Sequence, residues 1–126
     1  MSTLQICLFI GALLPILLSW VGGYYRATQL GTIDNRHPRQ QAAQLEGAGA
    51  RAVAAQQNAW EALAMLTAGV VVHSMRGGDA GTAATLGIVW VGARVLHAVF
   101  YIADLDKLRS LAFLVAEVCV LALFFV

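Results

Sequence analysis

Charge is the scarcest property of this sequence. Of 126 residues only 12% are charged while 60% are hydrophobic, and the mean hydropathy is +0.72. Soluble domains carry roughly 25% charged and 45–50% apolar residues, so the departure is toward the membrane. The net charge is only +1, and no run of clustered Lys and Arg is present. Nucleic-acid binding needs such a footprint and is excluded as a partner class. Cysteine is almost absent: Cys7 and Cys119 both lie in apolar runs without a cationic neighbour. They read as buried structural thiols, neither a disulfide nor a reactive centre. No Cys/His spacing marks a metal site, and neither an internal repeat nor a low-complexity tract is visible.

What fills the chain is apolar sequence in four segments: about Ile6–Tyr25, Ala52–Val72, Ala83–Ile102 and Leu108–Val126. Each approaches the roughly 20 residues that a helix needs to cross about 30 Å of hydrocarbon. The expected fold is all-α, an integral-membrane four-helix bundle in which residues 1–126 form a single domain. The first segment is not expected to be a signal peptide, because Met1-Ser2-Thr3 carries no basic side chain and no convincing cleavage signal follows. The first connection holds Arg26, Arg36, Arg39 and Arg51, the third Lys107 and Arg109, and the second only Arg76. Basic residues near helix ends mark the cytoplasmic side. The first and third connections are therefore expected in the cytoplasm, with both termini non-cytoplasmic and the chain multi-pass.

Pro15, at the centre of the first helix, predicts a kink there. Tyr24 and Tyr25 close that apolar run as an interfacial belt does. The connection Asp34-Asn35-Arg36-His37-Pro38-Arg39 is polar and turn-rich, and Pro38 argues against a helix in it. It reads either as a solvated topological loop or as a basic lid over an anionic ligand.

Polar residues inside the apolar segments carry the functional argument, since ionisable groups in hydrocarbon are costly and mark functional sites by default. In the second segment Gln56, Gln57, Asn58 and Glu61 follow Arg51. Arg51 and Asn58, seven apart, are nearly superposed, and Glu61 lies one turn beyond Asn58. Such a stripe cannot face lipid; it faces other helices, as hydrogen-bond glue, or a wet cavity. In the third segment Arg94, His97 and Tyr101 are spaced i, i+3, i+7 and fall within about 60° of one another. They align a guanidinium, an imidazole and a phenol. Arg94 is expected to pair with Glu61 or Glu117, since pairing is the cheapest way to keep a charge at that depth. Asp104, Asp106, Lys107 and Arg109 form a short solvated turn, with Arg109 two turns beyond Tyr101.

Taken together, Pro15, the stretch Arg51…Asn58-Ala59-Trp60-Glu61, the run Arg94-Val95-Leu96-His97 with Tyr101, and Arg109 resemble the MAPEG family, the membrane-associated proteins of eicosanoid and glutathione metabolism. The resemblance covers nearly the whole chain, and the Asp34–Arg39 loop is similar to that of bacterial members, which implies a bacterial inner-membrane location. It implies a homotrimer that binds glutathione as co-substrate between subunits near the cytoplasmic face. Gln56, Asn58 and Glu61 would hold the tripeptide from one side, and His97, Tyr101 and Arg109 from the other. Where better-characterised members carry an arginine four residues before the asparagine, this chain has Ala54, and Arg51 is the cation one turn earlier.

Glutathione carries two carboxylates and an ammonium, so Arg51 and Arg109 suit its carboxylates and Glu61 its ammonium. A free thiol with a pKa near 8.5 is mostly protonated at neutral pH. A cation or phenol aimed at the sulfur raises the thiolate fraction, which makes Arg109 the candidate catalytic group with Tyr101 assisting. The expected activity is glutathione transfer to a small lipophilic electrophile that arrives through the lipid bilayer, with glutathione-dependent peroxidase activity alongside. A non-catalytic membrane scaffold or lipid-binding protein of the same fold is the alternative. A transporter using Glu61, Arg94 and Glu117 as a charge relay fits less well, since no discontinuous helices beyond Pro15 are indicated.

Overall fold

Caps decide where the long helices begin and end. Ser2 Oγ accepts from the Gln5 backbone N–H at 3.2 Å, and Gln5 Oε1 accepts from the Ser2 N–H at 2.8 Å. This reciprocal pair satisfies two otherwise unpaired donors at a helix start. In the computed structural model, which describes residues 1–126, it launches α1 (Thr3–Leu30). There follow α2 (Pro38–Ala42), α3 (Gly47–Arg76), α4 (Ala80–Ile102) and α5 (Asp106–Leu123). Gly31 ends α1 at φ 81° and Gly77 ends α3 at φ 68°, each returning its N–H to the helix's last turn. A left-handed residue at that position is where glycine avoids the Cβ clash. Asp79 caps α4 by accepting from the Thr82 N–H at 2.6 Å.

All regular structure is helical, with four long helices and one short one. α1 continues through the fully buried Pro15 as one helix. The expectation that Pro38 precludes a helix in the first connection is corrected: α2 begins at Pro38. Proline lacks an N–H that the first helical position has no use for, and its fixed φ is already helical, so it starts a helix as readily as it breaks one. Of the four apolar segments, α1 and α4 are long and apolar enough to cross a membrane. Gln56, Gln57, Asn58 and Glu61 dilute α3, and Asp106, Lys107, Arg109 and Glu117 dilute α5.

α1 packs chiefly on α3, and α4 on α5. One face of α3 is a ladder of small residues, Ala52, Ala55, Ala59 and Ala62 leading to Leu66, all buried. Small side chains at i, i+3, i+4 spacing let neighbouring helix backbones approach closely. Gly11 of α1 does the same for α4: a Cβ there would stand 2.9 Å from the Trp90 ring, and Trp90 is 2% exposed. Cys7 and Cys119 are buried free thiols.

Two sets of contacts fix the ends of the bundle. Arg51, near the start of α3, donates from Nε to the Ile102 carbonyl at 3.0 Å, with Nη1 4.0 Å from the Asp104 carboxylate. At the far end of α3, His73 Nδ1 meets the Val126 carbonyl at 2.8 Å, and Arg76 donates to that of Phe124 at 2.7 Å. The first connection and the α4–α5 turn therefore share one end, and the chain's last residues lie at the other. Arg26, Arg36, Arg39, Arg51, Lys107 and Arg109 gather at the first of these ends. That is six of the eight Lys and Arg residues, the remaining two being Arg76 and Arg94.

Candidate functional site

The tight α4–α5 turn, with Asp104 in the left-handed region at φ 63°, folds α5 back on α4. That reversal brings the start of α5 over the end of α4. The Arg109 guanidinium sits 4.4 Å from the Tyr101 ring centroid, within the range where a cation gains from the ring's negative face. His97 meets Tyr101 edge-on at 5.6 Å between centroids and has Phe113 of α5 6.3 Å away. Arg94 and His97 are buried, at 1% and 3% exposed, whereas Tyr101 and Arg109 are half-buried. The line read from the sequence is thus graded, its cation–phenol end open and its Arg94 end closed.

Arg94 does not pair as expected. No acidic oxygen lies within 4.0 Å of it, and Nη2 instead donates to Asn58 Oδ1 at 2.6 Å. Asn58 is the α3 side chain in reach of α4, while Glu61, about 60° further round the helix, is exposed and Glu117 is only partly buried on α5. Arg94 Nε and Nη1, together with His97 Nδ1, are buried without a hydrogen-bond partner.

Gln56 does not share a wall with Asn58. Residues two apart on a helix point about 200° away from each other. Gln56 accordingly lines a different space, a groove of about 460 Å³ between α1, α2 and α3. Arg26, Arg39, Gln57 and Trp60 line the same groove. Arg51, a sequence candidate, is tied to the α4–α5 turn through Ile102 and Asp104 as described, and its guanidinium faces that turn.

Two residues of this region escape a sequence reading. Gln41 is 7% exposed and holds the first connection in shape. It donates to the Thr32 carbonyl at 2.7 Å and accepts from the Asp34 N–H at 2.9 Å and from Arg26 at 3.4 Å. Arg26 itself reads in the sequence only as a topological charge. No local signal distinguishes Gln41 from Gln40 or Gln44, because its role depends on a fold across the connection. The loop is further set by Asp34, whose carboxylate accepts from the N–H groups of His37 and Arg36. The His37 N–H is the foremost reason its pKa lies below the usual carboxylate value. Arg39 is thereby presented to the groove by a braced connection.

A half-buried cation–phenol pair beside an imidazole can hold and polarise a thiol, and a groove with two arginines and two amides can hold carboxylates. Comparison with known proteins bears on what that chemistry serves. No curated protein matches the chain. The family model described as the MAPEG family matches residues 3–126, essentially the whole sequence. The chain belongs to the MAPEG family.

Proposed function

We propose that this protein is a membrane-bound glutathione transferase acting on lipophilic electrophiles, with glutathione-dependent peroxidase activity at the same site. The observation that carries the reading is the Arg109–Tyr101 pair: a guanidinium 4.4 Å from a phenol ring, both half-buried and so open to a ligand. A thiol placed against them is pulled toward its thiolate by the positive charge and by a hydrogen bond from the phenol. The thiolate attacks the electrophilic carbon and the leaving group departs. With a hydroperoxide, the thiolate attacks the terminal oxygen, the O–O bond breaks and the alcohol leaves with a proton, giving a glutathione sulfenic acid; a second glutathione thiol then displaces its hydroxyl as water and forms the disulfide.

All four long helices span the bilayer in this reading, with α3 and α5 covering their polar residues against protein. The basic end faces the cytoplasm and both termini lie on the opposite side. The separation of Gln56 from Asn58 supports a site shared between subunits. Within one chain a tripeptide cannot touch both faces of α3, whereas the Gln56 groove of one subunit can meet the Asn58, Tyr101 and Arg109 side of its neighbour. Three subunits is the number implied by the family. Arg26 and Arg39 then serve the glutathione carboxylates, a role Arg51 fills poorly from the α4–α5 turn, and Glu61 takes the ammonium.

The test is glutathione conjugation of a general aromatic electrophile, and reduction of a lipid hydroperoxide, by protein purified in detergent. Turnover of either substrate above the uncatalysed rate supports the reading; the absence of both rejects it.

A further inference from the structure

An asparagine side chain has a hydrogen-bond acceptor at one end of its amide and donors at the other, and in Asn58 the acceptor is already committed. The group opposite it is Arg94, 1% exposed. A guanidinium carries five N–H donors and no acceptor. Only Oδ1 can therefore face it, and the 2.6 Å contact is from Arg94 Nη2 to Asn58 Oδ1. This is the one hydrogen bond the buried guanidinium makes, since Nε and Nη1 have no partner. The Asn58 amide nitrogen has no partner in the chain and, unlike Arg94 Nε and Nη1, is not among the buried unpaired atoms, so it is left open for a ligand. Asn58 is only half-buried, and the partly exposed Ala54 and the exposed Glu61 flank it on the side away from α4, each within about 60° of it around the helix.

We propose that Arg94 is a positioning residue that locks the amide of Asn58 so that the ligand site receives an N–H donor. The inference rests on the glutathione reading of this face of α3 and deepens it. Asn58 contacts an acceptor atom of the ligand, a carboxylate or the thiolate, and never its ammonium. The ammonium is left to Glu61, the acidic side chain on that face. Donor and acceptor contacts along α3 are thus sorted by a residue that itself touches no ligand. A buried arginine is a fitting lock: it stays protonated throughout the physiological range, so the amide cannot be invited to flip.

The experiment compares Asn58→Asp, Asn58→Leu, Arg94→Gln and Arg94→Lys in the purified full-length protein, reading thermal unfolding without ligand, glutathione binding by calorimetry and conjugation kinetics at varied glutathione. Asp at position 58 keeps an oxygen for Arg94 but replaces the outward donor with an acceptor. It is expected to melt no lower than the parent and above the Leu variant, while binding glutathione at least about tenfold more weakly, as befits the loss of a hydrogen bond to a charged group. Arg94→Gln, whose own amide can present either end, is expected to raise the KM for glutathione about tenfold with kcat little changed, since a misaligned ground-state contact is what is lost. Arg94→Lys, again donor-only, is expected to recover most of that KM. A merely structural Arg94 would lower the melting temperature in both Arg94 variants and leave KM alone. The proposal is overturned if Asn58→Asp binds glutathione as the parent does, or if it melts as early as Asn58→Leu. If the parent binds no glutathione while Asn58→Asp keeps its stability, the glutathione reading fails and the orientation of Asn58 stands.

Discussion

Arg109 and Tyr101 come from different helices and meet at 4.4 Å, guanidinium to ring centroid, because the α4–α5 turn reverses the chain within a few residues. The contact leaves the phenol hydroxyl and part of the guanidinium free for a third group. If that group is a thiol, the two side chains contribute separably. Tyr101→Phe keeps the ring under Arg109 and removes one hydrogen bond, so conjugation should fall about tenfold. Arg109→Ala removes the charge facing the sulfur and should cost roughly a hundredfold in kcat/KM. Steady-state conjugation kinetics for the two variants give both numbers.

The opposed faces of α3 make a genetic prediction. Paired substitutions at Arg39 and Gln56 disable one wall of the proposed site, and paired substitutions at Tyr101 and Arg109 disable the other. Each double variant alone should be inactive. Co-expressed with distinct tags and purified as mixed oligomers, they should regain a measurable fraction of parent activity, because some interfaces then combine two intact walls. Activity no higher in the mixture than in either double variant alone would place both walls in one chain.

Ala54 lies one turn before Asn58 on the outer side of α3 and is partly exposed. An arginine there would add a cation to the proposed glutathione-binding face. Ala54→Arg is therefore expected to lower the KM for glutathione several-fold, by roughly the 1 kcal/mol of a partly solvated charge pair, leaving kcat unchanged. Kinetics at varied glutathione measure it, and the gain should shrink at high salt.

Stability should depend on pH through the cap of α4. Hydrogen bonds from Thr82, chiefly, hold the Asp79 pKa below the ordinary carboxylate value. A group whose pKa is depressed on folding stabilises the fold above its unfolded pKa, and that contribution is lost as pH falls through the folded one. Asp79→Ala should thus lower the melting temperature at neutral pH. The gap from the parent should close once the pH drops below the carboxylate range, as a paired series of thermal melts would record.

The helices and their order were legible because apolar runs of membrane length leave few alternatives, and the Arg94–His97–Tyr101 alignment follows from helical spacing alone. Arg109 could be placed near Tyr101 because only a short turn separates them. What the pattern hid were relations that need a third element. Arg94 was expected to seek a carboxylate, yet its partner is the neutral Asn58, since Glu61 is rotated to the exposed side of α3. The opposed directions of Gln56 and Asn58, by contrast, follow from helical spacing alone. α2 is hidden in the sequence because a proline within a polar run argues for a turn, whereas here Pro38 starts a helix. Gln41 was invisible, since its three partners Thr32, Asp34 and Arg26 are assembled only by the folded connection.

The central claim is that this protein binds glutathione and ionises its thiol against Arg109 and Tyr101. Ultraviolet difference absorbance of the thiolate, recorded on mixing purified protein with glutathione at neutral pH, reads that event directly. A thiolate band that saturates with glutathione, is abolished in Arg109→Ala and is weakened in Tyr101→Phe is the predicted result. No band in the parent protein at saturating glutathione, or an undiminished band in Arg109→Ala, would contradict the account.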